Sequence, residues 1–132
     1  MNEETPLGRG PEIQRRLPHR PPYLFLDRIR AVSSSEWVAD GRAPGHAALL
    51  VELAAQAAAA GQGGDADLHG VVMVGVLRFR ILRSPAPGEA LHVLVRKRGA
   101  AGGQMLFGCE LTDASDAVVA AGDLALARSR DA

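Results

Sequence analysis

The chain has 132 residues, and its 15 basic and 15 acidic side chains leave a formal net charge of zero, which argues against nucleic-acid binding as the main activity. That length fits one domain, able to bury roughly two-thirds of the surface its unfolded chain exposes. With one Trp, one Tyr and three Phe, the core must be built mostly from Ala, Val and Leu, whose small volumes let backbone elements approach closely.

Residues 1–10 are polar, carry Gly8 and Gly10, and read as a loose tail ahead of a single domain over 11–128, with a second tail at 129–132. A short helix is expected over 11–17, with Pro11 in its first turn and Pro18 ending it. Residues 23–32 open with an apolar run and then alternate, which predicts a strand with a buried start. A Ser33-Ser34-Ser35 turn leads to a second strand at 36–42 that holds Trp37. Residues 47–60 contain eight Ala and neither Gly nor Pro; their propensity predicts a helix that ends at Gly61. Leu49, Glu52, Leu53 and Gln56 share one face by three-four spacing, and the remaining faces are nearly all Ala, Leu or Val. A helix apolar on every side is a buried one.

Four strands follow, at 70–82, 90–98, 104–112 and 117–128, separated by Pro-Gly, Gly-rich and Asp-rich turns. Successive hairpins imply an antiparallel sheet. Two strands, one buried helix and four strands together predict an α+β class, in which one sheet covers most of the helix.

Local basic clusters at Arg15-Arg16, Arg78 to Arg83 and Arg96-Lys97-Arg98 read either as solvated strand faces or as a docking surface for an acidic carrier protein or a cofactor phosphate. Cys109 is the only cysteine, so no intrachain disulfide forms, and its apolar neighbours predict a buried, unreactive thiol. The N-terminus lacks the basic-then-apolar order of a secretory signal and no apolar run reaches about 18 residues. A cytoplasmic protein that does not engage a membrane is therefore expected.

Residues 17–28 read Leu-Pro-His-Arg-Pro-Pro-Tyr-Leu-Phe-Leu-Asp-Arg. This stretch resembles the LPHRxPxLxxDR signature of the FabZ-type 3-hydroxyacyl-(acyl carrier protein) dehydratases. Residues 50–60, with Glu52 ahead of Ala55-Gln56, resemble that family's central-helix motif, and residues 78–89 its Arg-Phe strand followed by a Pro-Gly turn. The resemblance implies a hotdog fold, in which a curved antiparallel sheet wraps one central helix, and a homodimer or an assembly of dimers. It implies an acyl carrier protein or coenzyme A thioester as substrate, in fatty-acid or polyketide-type synthesis, and no cofactor.

The same resemblance implies Glu52 as the catalytic acid and places Gly45, Ala47, Gln56 and Phe79 beside the substrate. In the family a longer loop separates the catalytic His from the helix acid. Here Glu52 follows His46 by six residues, so His46 either replaces that His from another backbone position or only resembles it. His19, structural in the family, is the competing base. His69 and His92 show no supporting context, and Asp27-Arg28 is expected to form a local or interface ion pair.

Eliminating water from a 3-hydroxyacyl thioester needs a base for the C2 proton, an acid for the departing hydroxyl and donors for the thioester oxygen. Glu52, set in an apolar helix, suits a neutral acid. His46 at the helix start suits a neutral base, and exposed N–H groups there suit the thioester oxygen. Six helical residues turn about 600°, which leaves His46 and Glu52 of one chain off-face from each other; in the family the two come from different subunits. No phosphate loop, nucleophile elbow or metal-ligand spacing appears. A hotdog thioesterase, in which the carboxylate directs water, and a non-catalytic acyl-binding or partner subunit of a heteromeric dehydratase remain as alternatives.

Overall fold

The computed structural model describes residues 5–9, 24–61 and 71–128. Seven strands run in chain order: β1 (Thr5–Arg9), β2 (Leu26–Ala31), β3 (Glu36–Arg42), β4 (Val71–Ile81), β5 (Ala90–Ala101), β6 (Gln104–Thr112) and β7 (Val118–Arg128). Between β3 and β4 a 3-10 turn (Ala47–Leu49) runs straight into the helix α1 (Leu50–Ala60). All strands join one antiparallel sheet in the order β1-β2-β3-β5-β6-β7-β4. The expected helix at 11–17, with His19, lies outside the described residues. The expected loose tail contains β1, which pairs with β2; that pairing is non-local and leaves no mark in the local composition.

The inner face of the sheet follows the period-two rule of strands. Trp37, Val95 and Cys109 form one cross-strand row, and Ala39, Val93 and Leu111 the next; all six are buried. On α1, nine of eleven residues are buried, all but Val51 and Glu52. The helix touches every strand from β2 to β7. Six strands about 4.8 Å apart span about 24 Å, twice the diameter of a helix of about 10–12 Å, so the sheet must curve around α1.

Two anchors hold the C-terminal end of α1. The Trp37 indole N–H donates to the carbonyl of Ala57 at 2.9 Å, and its ring meets Phe107 edge to face at 5.8 Å. Gly61 closes the helix with its N–H bonded to the Ala57 carbonyl. A side chain there would collide with the indole.

The β5–β6 hairpin turns on Gly102 and Gly103, both at positive φ (57° and 80°), the geometry of a two-residue turn that matches strand twist. On β4 the pairing with β7 shifts register between Leu77 and Arg80, and Arg78 adopts φ 56°. Such a bulge re-aims the residues beside it, and Phe79 turns in over Gly122 of β7. Around the bulge, Leu77, Ile81 and Leu82 are exposed, and among the described residues β4 ends the sheet, paired with β7.

Candidate functional site

Glu52 sits in the first turn of α1 and is half-buried. Four residues on, one turn along the same face, Gln56 is 1% exposed and is the one buried polar side chain among the described residues. The Gln56 carbonyl oxygen accepts from the backbone N–H of Phe25 at 3.0 Å. Its amide nitrogen donates to Glu52 Oε1 at 3.5 Å. Phe25 is itself fixed, because its carbonyl accepts from the N–H of Arg42 at 2.9 Å. The segment entering β2 thus clasps the helix through Gln56, and Gln56 reaches the acid. Sequence reading placed Gln56 beside the substrate; the structure turns it into the protein. It did not find Phe25, whose contribution is a backbone N–H that no side-chain pattern marks.

His46 is exposed, with an extended backbone (φ −142°, ψ 134°). It caps the 3-10 turn, and its Nδ1 accepts from the N–H of Ala48 at 3.1 Å. An imidazole nitrogen that accepts has no proton, so the neutral ring carries its proton on Nε2. In this conformation His46 offers a donor outward rather than a lone pair. No hydrogen bond joins it to Glu52. Because His46 lies before the helix, it belongs to no helical face, and the expected helical-wheel offset does not describe it.

The N–H groups expected to be open for a thioester oxygen are bonded within the turn. Ala48 donates to His46 Nδ1, Leu49 to the His46 carbonyl at 2.9 Å, and Leu50 to the Ala47 carbonyl. Gly45 is exposed, with open space where a Cβ would be. Ala47 and Phe79 are half-buried and pack on the core rather than standing free.

The outer face of the sheet carries an array that sequence reading missed. Register lines up Arg28, Asp40, His92 and Thr112 across β2, β3, β5 and β6. Asp40 accepts from Arg28, from Arg30 at 3.3 Å, and contacts His92 Nδ1 at 2.6 Å. Burial pushes the Asp40 carboxyl up, but the bonds from Arg28 and His92 and the charges of Arg30 and Arg28 outweigh it and hold it below the usual carboxylate range. Arg28 is thus held by Asp40, while its neighbour Asp27 meets Arg42 at 3.4 Å; a register shift between Leu26 and Arg28 leaves both Asp27 and Arg28 exposed between buried Leu26 and Ile29. Register was the missing signal, since Asp40 and His92 are far apart in the chain.

Of the basic clusters, Arg15-Arg16 lies outside the described residues, and three of the six basic residues of the other two are tied to carboxylates. Arg83 bridges Glu89 and Asp113, Arg96 meets Glu36, and Arg98 meets Asp123. An open cavity of about 340 Å³ lies beside His92, Leu94, Glu110 and Thr112, away from Glu52. Among the described residues no group of His, Cys, Asp and Glu could hold a metal, and no helix is long and apolar enough to cross a membrane. Cys109 is buried, and burial together with the Asp123 charge pushes its thiol up to about 12.

No family's sequence profile matches the chain. Among solved structures, the dehydratase heterocomplex ApeI:P from Xenorhabdus doucetiae superposes with a TM-score of 0.72 at 18% identity, covering 89% of this chain and 91% of that one. The PaaI protein from the phenylacetic acid degradation operon of E. coli gives 0.60 at 17% identity, covering 76% and 81%. A mutant of the thioesterase PA1618 from Pseudomonas aeruginosa gives 0.60 at 14% identity, covering 76% and 78%. A single antiparallel sheet wrapped on one central helix, superposable on these proteins over most of its length, makes this chain a member of the hotdog fold.

Proposed function

We propose that the chain acts on 3-hydroxyacyl thioesters, held on acyl carrier protein or coenzyme A, and eliminates water to give the trans-2-enoyl thioester. The observation that carries this reading is Glu52, the single charged residue of α1, half-buried on an apolar helix with its carboxyl held by Gln56. Burial on an apolar helix works against the charged form of a carboxyl, which suits a group that donates to a departing hydroxyl. The dehydratase signature over residues 17–28 and the likeness to a dehydratase heterocomplex support the same chemistry.

His46 is the proposed base, with His19 the competitor. For His46 to accept the C2 proton, its ring must leave the N–H of Ala48. That rotation frees the Nδ1 lone pair and the Ala48 N–H together, so base and oxyanion donor become available in one movement. The proposed assembly is a homodimer joined at the β4 edge, where Val76, Leu77, Ile81 and Leu82 are exposed. An unpaired apolar edge of this kind invites another strand.

A hotdog thioesterase is the second reading, favoured by the likeness to PA1618; a non-catalytic acyl-binding or partner subunit of a heteromeric dehydratase is the third, favoured by the likeness to a heterocomplex. Incubation with matched 3-hydroxyacyl and plain acyl thioesters separates them. Enoyl absorbance without thiol release supports dehydration, and thiol release from both substrates supports hydrolysis. Glu52→Gln should lose about 100-fold or more in kcat if the residue is the general acid. Activity within twofold of the unaltered chain would remove Glu52 from that role.

A further inference from the structure

We infer that Arg83 is a positioning residue for His46: its guanidinium ties together three loops at one end of the sheet and so fixes the backbone that presents the imidazole. The consequence for rate rests on the dehydratase reading, with His46 as base; the mechanical coupling does not. The loops are the segment from β3 to α1, the turn from β4 to β5 and the turn from β6 to β7. Pairing of Arg42 with Ala90, of His92 with Thr112 and of Ile81 with Ala120 brings them to the same end. Arg83 holds the second loop by a fork: Nη1 donates to Glu89 Oε1 at 3.1 Å and Nη2 to Oε2 at 2.6 Å. Nη2 also donates to Asp113 Oδ2 at 2.9 Å. The other Asp113 oxygen accepts from the N–H groups of Ser115 and Ala117 at 2.8 and 3.1 Å, so the third loop closes on the same carboxylate. A forked, charge-assisted network holds geometry better than a lone surface ion pair.

The fork reaches His46 through backbone. Glu89 Oε1 also accepts from the Ala86 N–H at 3.1 Å, which closes the turn. From that turn the Glu89 carbonyl accepts from the Ala43 N–H at 2.8 Å, and the Gly88 N–H donates to the Ala43 carbonyl at 2.9 Å. Ala43 is therefore held through both its N–H and its carbonyl. Pro44 follows, buried and with its φ fixed by its ring, and His46 stands just past exposed Gly45. A role confined to stabilising the turn would leave the imidazole indifferent to Arg83. Positioning predicts that loosening the fork is felt at the Ala48 N–H, whose acceptor is His46 Nδ1.

The experiment compares the full chain with Arg83→Met, Arg83→Lys and Glu89→Gln. Amide exchange with water is measured by NMR at Ala43, Gly88 and Ala48, the His46 ring nitrogens are followed after assignment with His46→Gln, and kcat and KM are determined on 3-hydroxyacyl thioesters. In Arg83→Met, exchange should quicken about tenfold or more at Ala43 and Gly88 and about threefold or more at Ala48, with Val93 and Leu111 within about twofold, as for a local opening. The His46 nitrogens should move toward the shifts of a ring averaging between tautomers. Arg83→Lys should follow Arg83→Met, because a point charge cannot form the fork. Glu89→Gln, which keeps an oxygen for the Ala86 N–H, is the milder variant and should move the same signals the same way. In Arg83→Met, kcat should fall about tenfold with KM changed by less than about threefold, as expected of a misplaced catalytic group. Loosening confined to Ala43 and Gly88, with Ala48 and His46 superimposing on the unaltered chain, would overturn the inference, and so would an Ala43 amide that does not respond. An unchanged kcat beside a loosened Ala48 would instead remove His46 from the role of base and leave the coupling standing.

Discussion

Replacing Gly61 with Ala puts two opposed effects in competition, and the structure says which wins. Gly61 has an ordinary helical backbone (φ −82°, ψ −2°). On backbone grounds alone Ala would therefore stabilise the chain by roughly 0.4–1 kcal/mol, by restricting the unfolded state. A Cβ at this position, however, would lie 2.0 Å from Trp37 Nε1 and 2.1 Å from Cε2, where carbon contacts normally sit about 3.5–4.0 Å apart. Trp37 is 3% exposed and has no room to retreat without disturbing Phe107. Overpacking of this kind costs roughly 1–3 kcal/mol. Loss of the indole bond to the Ala57 carbonyl, which strands a buried polar group, costs roughly 1–3 kcal/mol more. Net destabilisation of about 1–6 kcal/mol follows once the backbone gain is subtracted. Urea unfolding is the assay, followed by far-UV circular dichroism and by the fluorescence of Trp37, the single Trp of the chain. The midpoint should fall and the emission should shift as the ring leaves its site. An unchanged or raised midpoint would refute the packing of α1 against β3 on which the position of Glu52 depends.

Asp40 should make stability acid-sensitive. Its carboxyl is held below its ordinary value in the folded chain, so its contribution is present above about pH 4. That contribution is lost as pH falls through the lower folded value. Asp40→Asn should flatten the stability profile in that acid range and cost on the order of 1 kcal/mol at neutral pH, discounted because Arg28 is 46% exposed; parallel acid limbs in chemical denaturation would contradict this. Cys109, its thiol pushed up to about 12, should resist iodoacetamide at pH 8 in the native chain and react once urea unfolds it, as intact-mass analysis would show; rapid native labelling would contradict its burial. Leu77→Lys, at a position 53% exposed on the β4 edge, should convert a dimer to monomer in sedimentation velocity at micromolar concentration while leaving the circular dichroism spectrum unchanged. An unaffected dimer would move the interface elsewhere.

Elements whose causes are local can be read directly along the chain. Eight Ala without Gly or Pro made a helix that ended at Gly61. Alternation and turn residues marked the strands β2 to β7, and three separated motifs pointed to the architecture. Apolar neighbours announced the burial of Cys109, and the isolation of Glu52 among apolar residues announced the carboxyl worth watching. Tertiary structure decided everything that depends on register and on backbone groups brought together from distant parts of the chain. It made β1 a strand, because its hydrogen-bond partners are on β2. It joined Asp40 to His92 across two strands. It gave the His46 lone pair to the N–H of Ala48, and it turned Gln56 inward to Phe25. Propensity and periodicity act over a few residues and can be read along the chain. A backbone N–H looks the same at every position until folding places an acceptor beside it.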